Sequence, residues 1–143
     1  MAMLNDRDRE AVRTELAKLT GPVKLVVFSQ SLSATADLCR ENEMLVREVA
    51  ELSDHITVEV LNLAIDRDRA EAYGVTDVPS IVVEGARDYG IRFLGVPSGY
   101  EFSNLIDAMI VASSGEPALS DATKTTLSGL ASDVDIKVFS TPT

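Results

Sequence analysis

The sequence predicts an α/β domain in which a four-stranded mixed sheet carries helices on both faces. Three observations predict it. The run VKLVVFS (23–29) is continuously apolar and β-branched, as in a central strand covered on both sides. A helical pattern separates it from a second strand, ITVEVLN (56–62), and strand–helix–strand order implies a right-handed parallel crossover. Two short Gly-bounded runs, SIVVE (80–84) and IRFL (91–94), then read as an antiparallel hairpin.

The elements follow in chain order. LNDRDREAVRTELAKLTGP is a helix capped by Asn5 or Asp6, with Val12, Leu16 and Leu19 on one face and Gly21-Pro22 as its stop. After a Ser-rich loop, Leu38, Leu45, Val49 and Leu52 recur at helical spacing, with Cys39 and Val46 on the adjoining flank. In the second strand Ile56, Val58 and Val60 share a face. DRDRAEAYGV is a short charged helix ending at Gly74. PSGYEFSNLIDAMIVASSGEP is a helix with a Ser98/Glu101 capping box and an apolar stripe of Phe102, Leu105, Ile106, Met109 and Ile110. LSDATKTTLSGLASD is a weaker helix capped by Ser120, leading to an apolar strand over 136–140.

Composition excludes several functions. The chain has 143 residues, a formal net charge of −10, one Cys and one His. That charge disfavours nucleic acid and anionic membrane surfaces as partners, because phosphate binding needs clustered Lys and Arg. No apolar stretch approaches the length of a membrane span, and no secretory signal opens the chain. A single Cys fits a reducing cytoplasm. His55 and Cys39 lie far apart in sequence, so neither a Cys–His nucleophile pair nor a metal set is read. The alternating DRDRE and DRDRAE clusters are solvated helix faces, and no Gly-rich phosphate loop is present. No cofactor is called for.

Two stretches share a pattern. LNDRDREAVRTELAKLTGPVKLVVFSQ and LSDATKTTLSGLASDVDIKVFSTP each have a Leu-Asn/Ser-Asp opening, a helix, and a strand ending Phe-Ser. The expected organisation is one complete unit over 1–115 and the start of a second, truncated one over 116–143. An apolar strand without neighbours invites pairing. Residues 135–140 are accordingly expected to join this unit's own sheet edge or to self-associate with another molecule.

The stretches GPVKLVVF, LVREVAELSD, DVPSIVV and IRFLGVPSGYEFSNLIDAMI resemble the first unit of the two-unit, glutaredoxin-like protein disulfide oxidoreductases. They are also similar to the N-terminal domain of the alkyl hydroperoxide reductase flavoprotein subunit, and the order of elements is that of the thioredoxin fold. The resemblance implies that a C-x-x-C follows VFSTPT in a second unit. It also implies a cis Pro79, with Val78 offering backbone groups to an extended protein or peptide substrate; the residues alone equally allow a plain strand start.

Such proteins carry C-x-x-C between the first strand and its helix as well. Here that place reads SQSLSATADLCREN, which sets Cys39 on the second, resolving position and Ala36 on the first. Without an attacking sulfur the expected unit is redox-inert, a scaffold or docking unit. Cys39 is then either a small buried core residue or a one-cysteine redox site open to glutathionylation or peroxide.

Overall fold

The computed structural model describes residues 2–141. The element order is α1 (Asp6–Leu16), β1 (Val23–Ser29), α2 (Ala36–Ala50), β2 (Ile56–Asn62), α3 (Arg67–Tyr73), β3 (Ser80–Glu84), β4 (Asp88–Leu94), α4 (Tyr100–Ser114) and α5 (Asp121–Ser128). The sheet runs β2-β1-β3-β4, with β1 and β2 parallel and β3 antiparallel to both β1 and β4. This is the four-stranded mixed sheet of the thioredoxin fold.

β1 is central because both its faces are apolar. Val23, Leu25 and Val27 enter one core cluster with Leu45, Val46 and Val49 of α2 and Leu105, Ile106 and Met109 of α4. Val26 and Phe28 point the other way, into a cluster with Leu61, Ala70, Val75 and Val82 under α3. Strand side chains alternate between faces, so one continuous apolar run serves two cores. Gly74 ends α3 in the left-handed conformation (φ 66°), where a Cβ is disfavoured.

The N-terminal helix is fastened to α2 by one carboxylate. Glu48, largely buried, accepts hydrogen bonds from the Met3 and Leu4 N–H groups and from the Arg9 guanidinium. Burial alone would raise its pKa, yet the Met3, Arg9 and Leu4 donors together hold it below the usual carboxylate value. Asn5 caps α1 as expected, accepting from the Asp8 N–H at 2.8 Å.

A second carboxylate ties β1, β2 and α3 together on the outer face. Glu59 takes two 3.0 Å bonds from Arg69 and pairs with Lys24, and Arg69 first, then Lys24, pull its pKa down to about 2. A carboxylate whose folded pKa is depressed stabilises fully above its unfolded value near 4.5. That contribution is lost as pH falls through about 2. Glu59→Gln is therefore expected to lower the urea midpoint at pH 7 while narrowing its gap to the parent chain toward pH 2. An equal loss at both pH values would contradict this. The pair faces solvent, so the effect is modest.

Four sequence expectations need correction. Leu38 is exposed, whereas Leu45, Val49 and Leu52 of the same stripe and Cys39 and Val46 on its flank are buried, so the stripe keeps its phase and only its first position lies beyond the core. The Ser98/Glu101 capping box does not form. Gly99, at φ 62° and ψ −129°, is the N-cap, which moves Glu101 to the second helical position, one short of where it could reach back. β4 begins at Asp88, three residues before the expected start at Ile91.

The fourth correction concerns 136–140, which is not a strand: Ile136, Val138 and Phe139 are exposed and no β-ladder includes them. A strand's backbone bonds come from a neighbour, and among the described residues none lies alongside. The preceding helix does form, with Ser120 accepting from the Thr123 N–H at 3.2 Å. Pro142 and Thr143, the end of the expected second unit, lie outside the described residues.

Candidate functional site

The chemistry-bearing positions meet at one end of the sheet. Phe28 of β1 pairs with Ser80 of β3, and Ser80 pairs with Leu94 of β4. The end of β1, the start of β3 and the end of β4 therefore share a pole, from which α2 and α4 both depart.

At this pole the Val78–Pro79 bond is cis. Pro79 is buried and its carbonyl accepts from the Gly95 N–H at 2.9 Å, while Ser80 Oγ donates to the Asp77 carbonyl. The turn is thus held from both sides. Among the described residues the Val78 N–H and C=O have no backbone partner, and Val78 is half-buried. An unpaired donor and acceptor beside a sheet end is the arrangement to which an extended backbone can pair.

Across from it, α2 starts at Ala36, and the Thr35 side chain makes no capping bond. Ala36 faces a hollow of about 130 Å³ lined also by Ser29, Gln30, Ser31, Arg40 and Glu43. Cys39 is one turn further in and 1% exposed. Arg40, adjacent in sequence, turns outward to pair with Asp37 rather than toward the thiol. Exchange needs a sulfur in line with the incoming disulfide. Ala36 supplies a methyl at the mouth, and the single thiol, Cys39, is buried. His55 is exposed at the opposite end of the sheet, where its carbonyl accepts from Val23 N–H.

One residue here was not singled out from the sequence. Asn42 is fully buried (0% exposed), and among the described residues neither its Nδ2 nor its Oδ1 has a hydrogen-bond partner. It lies four residues after Leu38 and three before Leu45, on the apolar face that the sequence spacing already marks, so a polar residue inside that stripe was the available signal.

No protein-family model matches the chain. A probable thioredoxin of Methanothermobacter marburgensis is 34% identical over 85 residues, which are 59% of this chain and 92% of that protein. The chain belongs to the thioredoxin family. The structure of the alkylhydroperoxide reductase AhpF from Enterococcus faecalis is also similar, with a TM-score of 0.79 and 26% identity, covering 89% of this chain and 61% of that one. A protein disulfide oxidoreductase from Aeropyrum pernix gives a TM-score of 0.75 and 27% identity, over 91% of this chain and 56% of that one. This thioredoxin-family chain thus spans less than two thirds of either structure. It is a thioredoxin-fold unit related to both, with one buried cysteine and no C-x-x-C. None of its helices is long and apolar enough to cross a membrane among the described residues.

Proposed function

We propose that this chain is the redox-inert thioredoxin-fold unit of a protein disulfide oxidoreductase: it docks extended polypeptide at Val78 and Pro79, while a C-x-x-C in a following unit, beyond Thr143, performs the exchange. The observation that carries this is the split at the pole. The cis turn leaves the Val78 N–H and C=O without backbone partners among the described residues, whereas Ala36 stands at the start of α2 and Cys39 is buried. The one-cysteine alternative needs oxidant or glutathione to reach a sulfur that is 1% exposed, which argues against it.

A second reading is favoured by the similarity to the alkylhydroperoxide reductase AhpF: a docking domain of a flavin-dependent peroxide-reducing system. A dinucleotide-binding Gly pattern downstream of the thioredoxin units would select it, and a chain ending after one more unit would select the first. Docking itself is tested by titrating the ¹⁵N-labelled chain with a reduced, alkylated, unfolded protein. Amide shifts should concentrate at Val78, Ser80 and 30–35. Shifts spread evenly, or none at millimolar ligand, would remove the reading.

A further inference from the structure

The sheet topology collects more at this pole than the Val78–Pro79 turn. β1 and β2 are parallel, so the loop after β2, with Ile65, opens at the same end as Leu32 after β1, Leu94 at the end of β4 and Tyr100 at the start of α4. These four side chains are 94% (Leu32), 87% (Tyr100), 80% (Ile65) and 65% (Leu94) exposed. Among the described residues before α5, no other large apolar side chain is as open to solvent. Exposed apolar groups gathered around an unpaired backbone mark a docking surface rather than scattered surface hydrophobics.

The charges around the surface have one prevailing sign. Asp66, Asp77 and Glu101 stand in its loops and at the start of α4. Of the nearby cations, Arg40 is held by Asp37, and Arg67 donates its Nε–H to the Ala64 carbonyl. The chain's four lysines, Lys18, Lys24, Lys124 and Lys137, lie in none of these loops. Acids in the first turns of α2, α3 and α4 (Asp37, Asp68 and Glu101) offset the positive helix ends. The long-range field of a chain of net charge −10 is negative.

Ser140 and Thr141 line a cleft of about 740 Å³ together with Ser98, Gly99, Tyr100, Glu101 and Asn104. A stretch of chain without helix or strand thus borders the same open cleft as Tyr100.

From these observations we propose a selectivity: the polypeptide docked here is an extended segment of alternating apolar residues flanked by Lys or Arg. Its backbone pairs with Val78, its apolar side chains cover Leu32, Leu94 and Tyr100, and its basic flanks meet Asp77 and Glu101. This rests on the proposed docking of extended polypeptide and adds the chemical class of the ligand.

Three synthetic probes separate the two claims: KKSVTVTVSKK, the same core with Glu flanks, and the Lys-flanked peptide with Asn in place of Val. Fluorescence anisotropy with the full chain should rank the first tightest, by about tenfold over the Glu-flanked peptide at low salt, with the gap closing at about 0.5 M salt. Glu101→Lys combined with Asp77→Lys should reverse the flank preference, and Leu94→Ser with Tyr100→Ser should remove the advantage of Val over Asn. All four positions are exposed, so circular dichroism should show an unchanged fold. Equal binding of Lys- and Glu-flanked peptides overturns the charge selectivity, and equal binding of the Val and Asn cores overturns the apolar one. Either result leaves docking intact, whereas no binding of any probe defeats the docking reading itself.

Discussion

Mixed with dithiothreitol and insulin, this chain is expected to leave the insulin reduction rate at the uncatalysed level. Turnover requires a sulfur that attacks the substrate disulfide and a second that resolves the mixed disulfide. Ala36 occupies the first place, and Cys39, the only sulfur available for a disulfide, is 1% exposed. Reaction of Cys39 with an aromatic disulfide reagent should accordingly require local opening, and so run about a thousandfold or more slower than for an exposed thiol. Denaturant should abolish the difference. In a longer protein carrying a C-x-x-C in the next unit, insulin reduction should appear, and Cys39→Ser should leave its rate nearly unchanged. That substitution should instead lower stability through a hydroxyl placed in an apolar core. Turnover by the present chain, lost on Cys39→Ser, would make Cys39 the working thiol and refute the inert assignment.

How much of this was legible in the sequence depends on where the physics is local. The β1 run can be read because both cores draw on it: Val26 and Phe28 bury as fully as Leu25 and Val27, so the strand needs no polar alternation. The hairpin is bounded by glycines, and Ser120 and Asn5 cap helices through bonds spanning three residues. Pro79 has two readings from its neighbours alone, and the resemblance implies the cis bond that the structure contains. Expectations fail where neighbours in space decide. The stripe of α2 has the expected phase, but where it enters the core is set by what packs against it, so Leu38 is exposed while Asn42, one turn on along the same face, is buried. The 136–140 segment has a strand's composition and, among the described residues, no partner strand beside it. The apolar pole is invisible for the same reason: Leu32, Ile65, Leu94 and Tyr100 are scattered in sequence and meet only through the order β2-β1-β3-β4.

Replacing Asn42 by Leu is expected to stabilise the fold, against the usual direction for a buried substitution. A buried amide without partners bears the desolvation of both its polar ends, and an apolar side chain of similar volume removes that penalty, about 1–3 kcal/mol. Leu is slightly larger than Asn, so overpacking takes back part of the gain. Asn42→Ala separates the two effects, because it removes the unsatisfied groups and leaves a small void. The expected order of urea midpoints is Leu above Ala, with Asn lowest or equal to Ala. Asn42 lies one helical turn from Cys39, near the start of α2, so the conflict between polarity and packing sits close to the pole proposed for docking. Natural chains commonly carry such local conflicts where function, not stability, chooses the residue. Peptide anisotropy on the stabilised Asn42→Leu chain reads that choice directly: affinity should fall while the urea midpoint rises. A midpoint that falls for both Leu and Ala would mean that Asn42 is satisfied in solution, by bound water, and would refute the assignment of an unpaired amide.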